Sequence, residues 1–344
     1  MEPNSNRKMD MQKQFKVCVW CNTYNQASYI TQTMDGFRLQ QTNFPFVCLI
    51  MDDASTDGEQ EVIRQYLREH FETPPLGGLG ACWEADTPDF HLTLARHREN
   101  RNCYFAVYLL KYNHYSIKKK RLRYYSAVAD AIDYVALCEG DDYWTDEHKL
   151  QKQADALDAD PNVMLVYTNF RIVDGENKPL SRPIIERFPS RSHSGDNLPT
   201  LLRYGNYIMV LTTMYRYEVF QSESLAGSPA SMDFATTMSA ALMGDFVWLP
   251  EKMACYRSLD KGITVSNKQK GVHWLQDVYR YYAGLLMRGQ CKPLTFRQRC
   301  HTTTLILMRA LKRKDRQLRK ETLKARPLSL LLLPVALLKL KIEK

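Results

Sequence analysis

The first half of the chain alternates short apolar blocks with amphipathic stretches. FKVCVWCNTYN, from Phe15, is valine-rich and predicts a strand that runs out into polar turn residues. SYITQTMDGFRLQ follows, with Ile30, Met34 and Phe37 near helical spacing and Ser28 placed to cap them. FPFVCLIMDDAS predicts a second buried strand over Phe46 to Met51. EQEVIRQYLREHF then predicts a helix with Val62, Ile63, Tyr66 and Leu67 on one face. Strand, helix, strand, helix is the grammar of a parallel α/β sheet. In such sheets ligands gather beyond the carboxyl ends of the strands.

Further along, CYFAVYLL (Cys103 to Leu110) predicts another strand, and a helix over Tyr124 to Ile132 leads into an apolar run from Tyr134 to Cys138. A helix, LQKQADALDAD, and a strand, VMLVYTN, come next. Residues 72 to 102, rich in Pro and Gly at their start, read as a loop excursion. The GGLG within them lacks both a leading strand and a following GKS or GKT, so it is no phosphate loop. Residues 171 to 198 are polar and turn-rich and predict a joint between halves. The expected organisation is a first half over 15–170, a second half of the same domain over 171–265, and a helical, basic and apolar extension over 266–344.

Composition narrows the class only a little. With 344 residues, 44% hydrophobic and 25% charged, the chain is long enough for a full core and is not of disordered type. A net charge of +9 suits an anionic ligand or surface without choosing one. The cysteines have no regular spacing. Cys18 and Cys21 form a lone CxxC inside a strand, which reads as core rather than a metal or redox pair. The polar start MEPNSNRKMD predicts no export signal and hence a cytoplasmic protein. LSLLLLPVALL, Leu328 to Leu338, is too short to span a bilayer. It follows eight basic and two acidic residues between Lys312 and Arg326. Basic then apolar is what a membrane-surface segment needs, and a helix packed on its own domain fits equally.

The chemistry concentrates at strand ends. ALCEGDDYWTDEHKL puts Glu139, Asp141 and Asp142 directly after an apolar strand, and three neighbouring carboxylates repel unless something compensates them. A hard divalent cation, Mg²⁺ or Mn²⁺, would do so and leave positions for phosphate oxygens. Acidic residues also favour helix N-termini, but Thr145 is placed to cap the following helix, which leaves the two aspartates unexplained. Asp52, Asp53 and Asp57 close the second strand. Asp53 is placed to accept a hydrogen bond from a ribose or base, while Asp52, Ser55 and Asp57 suit Asx-type turns. Lys118, Lys119, Lys120, Arg121 and Arg123 could meet a diphosphate on that cation. Asp233, in SMDFATTMSAAL, sits at a predicted helix start and reads as a plain cap, with Ser231 as rival. Asp245 reads as a turn residue.

CNTYN, MDDASTD, NHYSIKKKR and ALCEGDDYWTDEHKLQKQ together resemble the family 2 glycosyltransferases of the GT-A fold, those of bacterial surface polysaccharide and lipopolysaccharide synthesis above all. The likeness covers about residues 15 to 265. It implies a Rossmann-like, mostly parallel sheet flanked by helices, with a mixed acceptor-side lobe and a helical tail. It also implies inverting transfer from a nucleotide-diphosphate sugar to a glycan or lipid-linked acceptor. By that match Asp142 is the main metal ligand, Asp141 touches the ribose or metal shell, and Glu139 supports them. Thr23, Tyr24 and Asp53 fall where the nucleoside is held, Lys118 and Lys119 near the phosphates, and Asp233 at the acceptor-side base. The chain departs from the family after MACYR, where no histidine follows until His273; Arg257 or Lys261 would have to meet the phosphate instead.

Two other readings fit parts of the pattern. A nucleotidyltransferase would use the same metal and nucleotide. A non-catalytic nucleic-acid or membrane binder would use the basic surface but leaves the acidic strand ends without purpose, and nucleic acid is not an expected partner. No GxGxxG follows the first strand, which disfavours a dinucleotide-dependent oxidoreductase.

Overall fold

The computed structural model describes residues 15–72, 83–119, 124, 132–229, 232–259 and 271–342. Its centre is a sheet whose strands are β1 (Val17–Thr23), β2 (Phe46–Asp52), β3 (Trp83–Asp86), β4 (Phe90–Arg96), β5 (Cys103–Leu110), β6 (Tyr134–Leu137), β7 (Tyr143–Trp144), β8 (Val163–Val173), β9 (Thr213–Arg216) and β10 (Asp245–Arg257). The spatial order is β3-β4-β5-β2-β1-β6-β9-β8-β10-β7. The run β5-β2-β1-β6 is parallel, as is β8 with β10, while β9 is antiparallel to both of its neighbours. The parallel strands are buried on both faces, which is why their sequences read as unbroken apolar runs.

Alternation along β1 separates the two cores. Cys18 and Trp20 face one hydrophobic cluster, and Val17, Val19 and Cys21 face the other. The CxxC pair therefore points to opposite sides of the sheet and cannot share a metal or a disulfide. Helices α1 (Ile30–Arg38), α2 (Glu59–His70) and α3 (Lys149–Ala159) cover the Cys21 side. The other side is covered by α4 (Leu198–Tyr204), by short α5 (Glu218–Gln221) and α6 (Glu223–Ala226), and by α7 (Met232–Met243). Helices α8 (Gly271–Arg288), α9 (Phe296–Lys312), α10 (Arg316–Ala325) and α11 (Leu333–Ile342) complete it.

Several expectations need correction. The segment 72–102 is not all loop: β3 and β4 form an antiparallel hairpin added to β5, with Leu92 and Leu94 buried by it. Their alternating pattern is masked by the charged and turn residues around it. The GGLG stretch lies outside the described residues, as does nearly all of the helix expected over 124–132. Neither expected cap forms. Tyr29 occupies the cap position of α1 without a side-chain bond, so Ser28 lies too early. The Thr145 amide instead donates to Met253 O (2.9 Å), tying it to β10, and α3 starts only after His148. Asp245 is the first residue of β10, paired with Lys292 (2.6 Å), rather than a turn residue.

Candidate active site

The acidic segments meet because of strand register. Trp20 of β1 pairs with Leu137 of β6, and the Gly140 amide donates to Asn22 O (3.0 Å). On the other flank Thr23 pairs with Asp52, and the Asp53 amide donates to Thr23 O (3.0 Å). CNTYN, MDDASTD and CEGDD thus share the carboxyl edge of three adjacent parallel strands.

Thr23 and Gln26 fill the space between the two acidic ends. Any side chain at Gly140 would put its Cβ 2.6 Å from Thr23 Cβ and 2.5 Å from Gln26 Oε1, so only glycine lets the turn close here. Beneath them is Glu59, a residue that no sequence motif flagged. It opens α2 after Gly58, which takes a φ of 92°. Glu59 is fully buried; its Oε1 accepts the Thr23 hydroxyl, and its Oε2 accepts the Gln26 amide (2.9 Å) and the Ser55 hydroxyl (2.8 Å). Burial raises its carboxyl above the ordinary range while those donors pull the other way.

Asp53 is buried, and its carboxylate gathers the NHYS turn. Oδ1 accepts the His114 amide (2.7 Å) and Oδ2 the Tyr115 amide (3.0 Å). Asp52 and Asp57 make the expected turns, accepting from the amides of Ser55 (3.1 Å) and Glu59 (3.1 Å). Tyr24 is 43% exposed and presents its ring to solvent at the same edge. Of the basic cluster, Lys118 is exposed in a left-handed conformation (φ 54°) and Lys119 pairs with Asp89 (2.7 Å). Lys120, Arg121 and Arg123 lie outside the described residues, as do Ser231 and Lys261.

The acidic turn is clasped from behind. The Thr33 hydroxyl of α1 lies 2.9 Å from Gly140 O and 2.6 Å from Asp142 O, sharing its proton between them. Phe37 meets Trp144 edge-on at 4.8 Å, and Gly36 admits the Trp144 backbone. Arg257, at the end of β10, is 2% exposed. Its amide donates to Asp142 Oδ1 (2.8 Å), and its guanidinium donates to Asp141 O, Gln32 Oε1 (2.6 Å) and Asn177 Oδ1 (2.8 Å). The rings of Tyr29 and Tyr143 lie 4.5 and 5.1 Å from that guanidinium. The sequence suggested Arg257 as a phosphate contact; it is an internal brace of the acidic turn.

Asp142 is 5% exposed and Asp141 is half-buried. Burial raises both carboxyls above the ordinary range. For Asp142 the charge of Asp141 adds to that rise and the Arg257 amide opposes it. For Asp141 its own backbone amide and then the charge of Arg257 oppose it. Among the described residues, no three His, Cys, Asp or Glu side chains converge as a self-contained metal cage.

Asp233 lies in the first turn of α7. That helix precedes β10, which is parallel to β8, and it ends where β10 begins. It therefore runs against the strands, and its N-terminus faces their carboxyl edge. Asp233 is exposed, yet desolvation by surrounding protein raises its carboxyl.

Comparisons with known proteins define the fold. No family profile matches the chain. The uncharacterized proteins Mb1547 of Mycobacterium bovis and Rv1520 of Mycobacterium tuberculosis are each 29% identical to it over 245 residues, 70% of this chain. The chain spans only about 58% of the length of these curated relatives. Among solved structures, S. aureus TarS 1–349 in complex with UDP-GlcNAc aligns with a TM-score of 0.52 at 16% identity, over 90% of this chain and 79% of that one. The same protein in complex with UDP aligns at 0.51 and 15%, over 87% and 73%. These likenesses are of fold: the chain has the GT-A architecture, with a large, mostly parallel sheet flanked by helices and a helical C-terminal tail.

Proposed function

We propose that the chain is a glycosyltransferase. It moves a sugar, with inversion, from a nucleotide-diphosphate sugar to a hydroxyl of a glycan or lipid-linked acceptor, in surface polysaccharide or lipopolysaccharide synthesis. The observation that carries this reading is the meeting of two acidic strand ends, Asp53 and the 139–142 turn, on either side of β1. TarS, of the same fold, holds UDP-GlcNAc, which supports a nucleotide-sugar donor.

In this reading Thr23, Tyr24 and Asp53 serve the nucleoside, Asp53 by fixing the NHYS turn against it. Lys118 and Lys119 face the diphosphate. Asp142, Asp141 and Glu139 hold Mg²⁺ or Mn²⁺. The donor set fits such a cation: hard oxygens whose negative charge is costly where they stand. Mg²⁺ takes one or two carboxylates and completes its shell with substrate phosphates and water, so no three-residue cage is needed. When bound, the cation neutralises charge on the leaving diphosphate. Asp233 accepts the proton of the acceptor hydroxyl as that oxygen attacks the anomeric carbon. Residues 312–344 bind the protein to the inner face of the cytoplasmic membrane. Among the described residues no helix is long and apolar enough to cross a membrane.

A panel of nucleotide sugars, assayed with Mn²⁺ for transfer and hydrolysis, tests the reading. The expected product is a nucleoside diphosphate; release of pyrophosphate would identify a nucleotidyltransferase instead. Asp142→Ala should abolish the metal-dependent step, and full activity in that variant overturns the ligand assignment. Asp233→Asn should bind donor as the native protein does and lose transfer by roughly 10²–10⁴-fold. Unchanged turnover removes it as the base.

A further inference from the structure

Buried arginines are ordinarily forked onto a carboxylate. Arg257 is not. Among the described residues its guanidinium forms no ion pair, and its hydrogen bonds reach three neutral oxygens: the main-chain carbonyl of Asp141 and the side-chain amides of Gln32 and Asn177. Its buried Nε–H has no acceptor among those residues. Two carboxylates nevertheless stand close enough to feel its charge, those of Asp141 and Asp142. Asp142 accepts the Arg257 main-chain amide on Oδ1, and on Oδ2 it takes no hydrogen bond from a described residue. The positive charge therefore lies beside the aspartates without capping them.

The groups that hold this cation come from separate parts of the chain, and each is itself fixed. Gln32 lies in the first turn of α1. Asn177 belongs to the turn after β8. Its amide donates to Asp174 O (3.2 Å), and Asp174 Oδ1 accepts the amides of Glu176 (2.8 Å) and Lys178 (2.9 Å). The φ of 63° at Asn177 is left-handed, a conformation that asparagine tolerates. The rings of Tyr29 and Tyr143 line the same space. Amide oxygens and aromatic rings suit a planar guanidinium better than an ammonium group. Burying a charge without a bonded counter-ion is costly. A cation kept at that cost next to two carboxylates eases their mutual repulsion and leaves their oxygens to another ligand.

We propose that Arg257 is a positioning residue for the divalent cation: it fixes the acidic turn through Asp141 O, offsets part of its charge and leaves Asp142 Oδ2 open as a ligand. This rests on the cation reading of that turn. Gln32 and Asn177 act through Arg257, as outer supports of the ligand geometry.

The test is titration of the full chain with Mn²⁺, alone and with UDP or GDP, followed by the electron paramagnetic resonance of free Mn²⁺. Arg257→Lys keeps the charge and loses the fork, and it should bind Mn²⁺ roughly 10–100-fold more weakly than native protein. Arg257→Ala should lose at least as much. There, millimolar guanidinium chloride should restore binding and methylammonium chloride should not. Asn177→Gly keeps the left-handed turn and removes one support. It should weaken binding less, and it serves if the Arg257 variants do not fold. Folded variants that bind Mn²⁺ as tightly as native protein overturn the inference and leave the cation reading standing. Loss of binding in Arg257→Ala that guanidinium does not restore also overturns it, leaving Arg257 a part of the fold alone. Absence of Mn²⁺ binding by native protein, with and without nucleotide, overturns both.

Discussion

At the scale of single residues, the candidate site depends on what is missing as much as on what is present. Gly140 lies under Thr23 and Gln26, and a methyl group there must displace one of them. Gly140→Ala is expected to destabilise the protein by about 1–3 kcal/mol through overpacking and to weaken nucleotide binding by opening the acidic turn. Denaturant unfolding and nucleotide titration would check the two effects separately. Asp233 gives a second prediction. Its carboxyl is raised by desolvation, and a base works only when ionised. Turnover should therefore fall with acid through a pKa above the ordinary aspartate value of about 4. A pH–rate profile measures that limb, which Asp233→Glu should shift and Asp233→Asn should remove.

At the scale of elements, α3 carries a buried cation. Lys149 lies 4.1 Å from the Trp144 ring centre and donates to Gln153 Oε1 (2.6 Å), and burial pulls its pKa down to about 7. Unfolded, the same lysine titrates near about 10.4. Between those values the unfolded state binds the extra proton, so this group's contribution to stability rises as pH climbs from about 7 to about 10. Lys149→Met should lack that rise. The difference in melting temperature between the two proteins, followed across that range, should shrink with increasing pH. The elements also show what the sequence made legible. Strands such as Phe46–Asp52 and Cys103–Leu110 were readable because burial on both faces leaves an unbroken apolar run. Hairpin β3–β4 was not, since its alternation is short and begins at the edge of a Pro/Gly-rich stretch. Caps misled for a related reason: Ser28 and Thr145 have the right chemistry, but the helices start where packing against Trp144 and β10 lets them.

At the scale of the molecule, one sheet joins the acidic edge to Asp233 and to the C-terminal helices. The carboxylates could be found in the sequence because acids are conspicuous after apolar strands. Glu59 and the bracing role of Arg257 could not, because each acts through partners distant in the chain: Thr23 for one, Gln32 and Asn177 for the other. The sequence left the tail open between a membrane-surface segment and a helix packed on its own domain; the tail packs, burying Ala336, and leaves Leu337 and Leu338 exposed. Removing residues 327–344 should therefore lower the melting temperature by roughly 3 °C, from about 2 kcal/mol of lost apolar burial. Differential scanning calorimetry of the shortened chain measures it.

Glu59 has a wider consequence. The Thr23 hydroxyl donates to it and Thr23 packs against Gly140, so in the proposed reading it underlies both the nucleoside contact and the cation turn. Ordering one end lowers the entropic cost of ordering the other, so nucleoside and cation should bind with positive cooperativity. Linkage makes that coupling reciprocal: whatever factor a nucleotide adds to Mn²⁺ affinity, Mn²⁺ adds to nucleotide affinity. Glu59→Ala, which removes the shared acceptor beneath Thr23 and Gln26, should leave each able to bind alone and make them indifferent to one another.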